Sequence, residues 1–193
     1  MDQGDRNPRE QNQHGGQNKP HKPDRDQEIS GGRGEAAALM SPAPDEIVKE
    51  IHISASPAEV FPYLIDADKM RTWKAVKAEV VGAMPGATFR MDVTGRGDVA
   101  TGSYIEVDPP RRVVFTWTWE RDDRSGREPG VVEVTLTPDE GGTRLRLVHR
   151  GLADQVRERS AAGWAHYLDR LAAVASGEDP GPDPWATLNE EAM

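Results

Sequence analysis

The sequence predicts an α+β domain: a curved, seven-stranded antiparallel sheet wrapped around a long C-terminal helix, with two short helices after the first strand. Three observations predict it. Strand-length runs follow one another with only turn residues between them, and such short connections make neighbours antiparallel. Residues 154–176 carry apolar side chains at helical spacing. The run 112–120 puts Val113, Phe115, Trp117 and Trp119 on one face, and Val114, Thr116, Thr118 and Glu120 on the other. Three aromatics on one strand face exceed the ordinary need of a small core. They point to a sheet curved around a bulky filler, a bound guest, or both.

Order begins near Asp45. Ile47, Lys49, Ile51 and Ile53 alternate with Val48, Glu50, His52 and Ser54, a strand pattern. Ser56-Pro57-Ala58-Glu59 then reads as a helix start: Ser56 as N-cap, Pro57 at the first helical position, Glu59 completing a capping box. Val60, Phe61 and Leu64 form its buried stripe. Pro62 removes a backbone donor, so the helix is expected to be short or kinked. A second short helix starts at Asp66 or Asp68 and runs to Met70, and Trp73 closes the region.

Six further strands are expected at 75–81, 88–94, 99–107, 112–120, 131–137 and 143–150. Turn signals separate them: Met84-Pro85-Gly86, Gly95-Arg96-Gly97-Asp98, Asp108-Pro109-Pro110, residues 122–130 and residues 138–142. The final helix sets Val156, Ser160, Trp164, Tyr167, Leu168, Leu171 and Val174 or Ala175 along one stripe. Gly163 in its middle costs about 1 kcal/mol relative to Ala, a cost that close approach to the sheet would offset. Gly177 is a natural stop.

This divides the chain into a disordered N-terminal tail (1–43), a folded domain (44–177) and a Pro-rich C-terminal tail (178–193) whose Trp185 could fold back on the body. The tail before Phe61 has no aromatic residue, too little apolar surface to offset its ordering entropy. A helical turn near residues 35–40 and stray metal binding by His14 and His21 are its weak features.

Bulk properties exclude several classes. The chain has 193 residues, a formal net charge of −9 and no cysteine. The acidic balance speaks against a nucleic-acid surface. The lack of cysteine removes disulfides, thiolate catalysis and thiolate metal sites, and fits a reducing cytoplasm. No run of about 18 apolar residues exists to span a membrane, and the N-terminus has no signal-peptide core. A cytoplasmic location is expected.

Taken in order, several segments resemble one family. They are Ile53-Ser54-Ala55-Ser56-Pro57-Ala58-Glu59-Val60-Phe61, Trp73, Pro85-Gly86-Ala87-Thr88-Phe89, and Gly102-Ser103-Tyr104-Ile105-Glu106-Val107-Asp108-Pro109-Pro110-Arg111. Phe115-Thr116-Trp117-Thr118-Trp119, Gly142-Thr143-Arg144-Leu145, His149-Arg150-Gly151-Leu152 and Gly163-Trp164 complete the set. Residues 46–175 resemble the bacterial homologues of the activator of heat-shock-protein-90 ATPase, of the START-like (SRPBCC) superfamily with its helix-grip fold. The resemblance implies a mostly apolar cavity between sheet and C-terminal helix. Superfamily relatives bind lipids, sterols or polyketides, some are cyclases, and eukaryotic activators touch a chaperone. Those activators carry a further N-terminal domain with a Trp-containing motif, which the aromatic-free segment here does not match. The group supplies no catalytic set to transfer.

The candidate ligand-binding residues are Trp73, Phe89, Tyr104, Phe115, Trp117, Trp119, Trp164 and Leu168. Pockets for small molecules are apolar with a few polar groups. Here Tyr104, Arg90, His149 or His166 could supply those groups, with Tyr104 orienting a polar end of the guest. No catalytic residue is assigned. His149 lacks a clear Ser, Asp or Glu partner and reads as a structural histidine. No His-Glu-x-x-His run or other ligand spacing marks a metal site. Gly95-Arg96-Gly97-Asp98-Val99-Ala100 matches a dinucleotide pattern, but a strand follows it where a helix is required. Its Arg-Gly-Asp tripeptide reads as a turn. No cofactor is implied.

The expected function is non-catalytic binding of a small hydrophobic molecule, lipid- or polyketide-like, in the central cavity. Two alternatives stand beside it: a protein-interaction module of co-chaperone type, and a cyclase- or hydrolase-like enzyme that would need an acid–base pair inside the cleft. An exposed sheet edge is compatible with a homodimer.

Overall fold

The computed structural model describes residues 46–121 and 128–186. The expectations for the N-terminal tail, its two histidines and most of the 122–130 turn lie outside those residues. The chain runs β1 (Ile47–Ile53), α1 (Pro57–Val60), a 3-10 turn (Phe61–Leu64) and α2 (Ala67–Trp73). Strands β2 (Lys77–Val80), β3 (Thr88–Asp92), β4 (Val99–Asp108), β5 (Arg112–Trp119), β6 (Gly130–Asp139) and β7 (Gly142–Arg150) follow, and then α3 (Asp154–Ala175). The seven strands form one antiparallel sheet in the order β1-β7-β6-β5-β4-β3-β2. The fold is the predicted α+β arrangement: a curved seven-stranded sheet, a long C-terminal helix and two short helices after β1.

Local chemistry accounts for the start. The Glu59 carboxylate accepts from both the Ser56 N–H (2.8 Å) and the Ser56 hydroxyl (2.7 Å). Those bonds hold the Glu59 pKa below its ordinary value. Pro62 divides the segment as expected: four α residues, then a 3-10 turn. Asp66 caps α2 by accepting from Lys69 N–H at 2.9 Å.

The inner face of the sheet carries Phe89, Met91, Tyr104, Val113, Phe115, Trp117, Val132, Val134, Leu145 and Leu147, all buried. Helix α3 lies over this face and packs against β1 and α2. Two places bend the simple alternation. Pairing of β4 with β5 shifts between Tyr104 and Glu106, and a Cβ on Gly102 would stand 1.9 Å from the Thr116 carbonyl oxygen. Only glycine lets the two strands approach so closely there.

Val114 lies on the face read as polar, yet it is buried. It shares that outer face with fully buried Val148 and with Glu133 between them. Guanidinium stems roof the valines: Arg112 bridges Glu106 (2.8 Å) and Glu133 (3.3 Å), and Arg150 bridges Glu133 (3.2 Å) and Glu46.

The Gly163 expectation needs correcting. A Cβ at this position would meet nothing within 4 Å. The glycine does not bring α3 closer to the sheet; it borders open space.

Candidate functional site

The space between α3 and the sheet has two unlike ends. At one, Phe89, Tyr104, Phe115, Trp117 and Leu168 leave a void of only about 30 Å³. Ring pairs fill it: Phe89 meets Phe115 edge-on at 5.5 Å and Tyr104 at 5.7 Å, and Phe115 meets Trp117 at 6.2 Å. The other end holds a hollow of about 340 Å³. Its walls are Trp117, Trp119 and Trp164 with Val93 and Val99, and its rim carries exposed Val156, Arg121, Arg159 and Trp185.

The side chains of α3 account for the difference. Toward its C-terminus the helix presents Leu168 and Leu171, both essentially fully buried. Toward its N-terminus it presents Ser160 and Gly163, which border the hollow. Two small residues three apart share one helix face and leave the sheet below them uncovered.

The eight candidate residues fall unevenly. Trp73, Phe89, Tyr104, Phe115, Trp117, Trp164 and Leu168 surround the small void, whereas Trp117, Trp119 and Trp164 line the large hollow. Trp117 and Trp164 belong to both and touch each other at 5.4 Å. Tyr104 is directed to the protein itself: its hydroxyl donates to the Leu64 carbonyl at 3.3 Å, and burial raises its pKa.

The other polar candidates separate. Arg90 pairs with Glu120 at 2.7 Å at an exposed position, away from the hollow. His149 does line the hollow. Its Nδ1 accepts from the Trp164 indole N–H at 3.0 Å. An indole can only donate, so neutral His149 carries its proton on Nε2. His166 bonds Asp183 at 2.9 Å and stacks on Trp185, with ring centroids 4.2 Å apart. Arg170 holds the same C-terminal segment through the carbonyls of Pro180 (3.3 Å) and Gly181 (3.0 Å). Trp185 thereby folds back onto the rim of the hollow. Tyr167 borders it too; burial and the nearby Asp183 carboxylate raise its pKa, although its hydroxyl makes no well-formed hydrogen bond among the described residues. Among the described residues, no group of three or more His, Asp or Glu is placed to hold a metal ion.

One residue of the site was not anticipated. Lys74 borders both spaces and is only 5% exposed. Its Nζ lies 3.4 Å from the ring centroid of Trp164, 4.3 Å from Trp117 and 5.5 Å from Trp73. Desolvation holds its pKa well below the ordinary lysine value. Lys74 is the C-cap of α2, and its own N–H still bonds the Met70 carbonyl at 3.0 Å. In sequence, a basic residue at a helix C-terminus looks like a solvated dipole partner, so nothing marked it as buried.

The model of the family described as activator of Hsp90 ATPase homolog 1-like protein matches residues 54–176. The chain belongs to that family. An AHSA1-like protein from Rhizobium etli is 38% identical; the match covers 77% of this chain and 92% of that one, with a TM-score of 0.57. CalU16 from Micromonospora echinospora is 25% identical over 68% of this chain and 76% of its own, with a TM-score of 0.56. The Aha1 dimer from Colwellia psychrerythraea, at 18% identity over 68% of this chain and 96% of that one with a TM-score of 0.58, shares the fold. Among curated proteins, none matches this chain. No helix among the described residues is long and apolar enough to cross a membrane.

Proposed function

We propose that this AHSA1-family chain binds a small, mainly apolar molecule in the hollow beside Trp117, Trp119 and Trp164, without chemical turnover. One observation carries the reading. A 340 Å³ space walled by Trp117, Trp119 and Trp164 is bordered by the small residues Ser160 and Gly163 of the covering helix. The volume falls in the lower part of the range common for small-molecule pockets, roughly 300–1,000 Å³. Indole walls offer apolar area at low entropic cost. Two groups on the hollow support the non-catalytic reading: His149 is engaged by Trp164, and Asp98, the sole carboxylate among the described lining residues, accepts from Thr94 at 2.6 Å.

Native mass spectrometry from detergent-free buffer, with lipid and polyketide panels, tests this. The expected result is a bound mass and a raised melting temperature, both lost in Gly163→Leu, whose side chain would enter the hollow. Protein that stays empty across the panels, with no melting shift, would remove the reading.

A second reading has its own observation. Val81 (75% exposed), Met84 (63%) and Ile105 (51%) are large apolar residues outside the core. The turn at Met84–Ala87 is hydrogen-bonded to β4 at Tyr104, beside Ile105. Such a group at the β2 edge suits a protein-contact role of co-chaperone type. Val81→Lys with Ile105→Lys should abolish a stoichiometric partner in a pull-down if that role is the real one, and leave ligand binding intact.

A further inference from the structure

The hollow has a polar end that the apolar reading leaves unused. Lys74 Nζ is enclosed by Trp164, Trp117 and Trp73. Among the described residues no carboxylate or carbonyl accepts a hydrogen bond from it. Ring faces stabilise an ammonium only in part, by about 2 kcal/mol in a desolvated site. A buried charge without an anionic partner is otherwise costly. Among the described residues, the other charged groups on the hollow are Arg121, Arg159 and Asp98, with His149 beside them. Asp98 is engaged by Thr94 and lies 3.9 Å from Arg121. Arg159 has no carboxylate within ion-pair distance among the described residues. Among the described lining residues, basic groups therefore outnumber carboxylates, in a chain whose net charge is −9.

We infer that the guest has an apolar body and one anionic end of carboxylate type, and that this end seats against Lys74 Nζ while the body lies along Trp117, Trp119 and Trp164. The inference rests on the binding reading above and names the class of guest it would take. An incoming carboxylate would supply an acceptor for Lys74 Nζ and favour its charged form, and a charge-assisted hydrogen bond is stronger than a neutral one. Arg159 and Arg121 at the rim would favour entry of an anion. A cationic guest would meet like charge at both ends of the hollow.

Calorimetric titration with matched probe pairs tests this: 2-naphthylacetate against 2-naphthaleneethanol, and decanoate against decanol, on the wild-type chain and on Lys74→Met. Methionine keeps the length and apolar bulk of the side chain. The acids should bind the wild type about tenfold more tightly than the alcohols, and Lys74→Met should erase that preference while changing alcohol affinity by less than about threefold. A Lys74 ζ-¹⁵N resonance that moves with the acids and not with the alcohols would give the same answer independently of affinity. Alcohols that bind as well as the acids, or an acid preference that survives Lys74→Met, would overturn the inference and leave the apolar cavity standing. Failure of every probe would overturn both.

Discussion

The two ends of the space under α3 are built from the same materials and behave differently. Both lie on the concave face of one sheet, and both share Trp117 and Trp164. Around Phe89, Phe115 and Leu168, rings and a leucine interlock until only about 30 Å³ remains. Around Trp119, the helix offers Ser160 and Gly163 in place of leucines, and about 340 Å³ stays open. The comparison teaches that an aromatic-rich strand does not by itself make a pocket. Strand β5 passes through both ends, and the size of the residues facing it from α3 decides which end is core and which is hollow.

The contrast can be broken most strongly by truncation at each end. Phe115→Ala should lower stability by about 3–5 kcal/mol, because the packed end cannot collapse onto the lost ring. Trp119→Ala, although it removes a larger side chain, should lower stability by only about 1–2 kcal/mol, since one side of its ring already borders open space. Urea denaturation of both variants checks this. Equal losses would mean that the two ends are packed alike.

Glycine substitutions sharpen the same point on a smaller scale. Gly102→Ala places a methyl against the Thr116 carbonyl and should lower stability by about 1–3 kcal/mol. Gly163→Ala, with nothing within 4 Å of the new carbon, should raise stability by about 1 kcal/mol through helix propensity alone. Thermal melts of the pair should therefore shift in opposite directions.

A further expected effect concerns pH. The folded Lys74 pKa lies well below its ordinary value, so between the folded and unfolded pKa values the unfolded chain binds the extra proton. Stability then rises with pH across that window and levels off near 10.5, the ordinary lysine value. Tyr104 and Tyr167, whose pKa values are raised, act in the opposite sense above the ordinary tyrosine range. The difference between wild type and Lys74→Met isolates the lysine. That difference should grow in favour of the wild type as pH rises toward 10.5; a flat difference would mean that Lys74 is not desolvated when folded.

Much of the fold was legible in the sequence because its signals are local. The capping box at Ser56 and Glu59, the break at Pro62 and the period-2 runs each act within a few residues, and each appears in the structure. The burial of Val114 was not legible, since its cover is a guanidinium roof assembled from β5, β6 and β7. Lys74 was hidden for a related reason: its direction depends on how the chain leaves α2, not on its neighbours in sequence. The uneven fate of the eight candidate residues did have a readable cause. Ser160 and Gly163 against Leu168 and Leu171 is a small-to-large gradient along one helix face, and only the reason assigned to Gly163 was mistaken.

The open end itself is tested most directly by crystals pressurised with xenon, which settles against apolar cavity walls and reports them as electron density. Xenon is expected in the hollow bounded by Trp117, Trp119 and Trp164, with none between Phe115 and Leu168. Crystals with no xenon at the Trp119 end, or with a tryptophan ring swung in to fill it, would contradict the account.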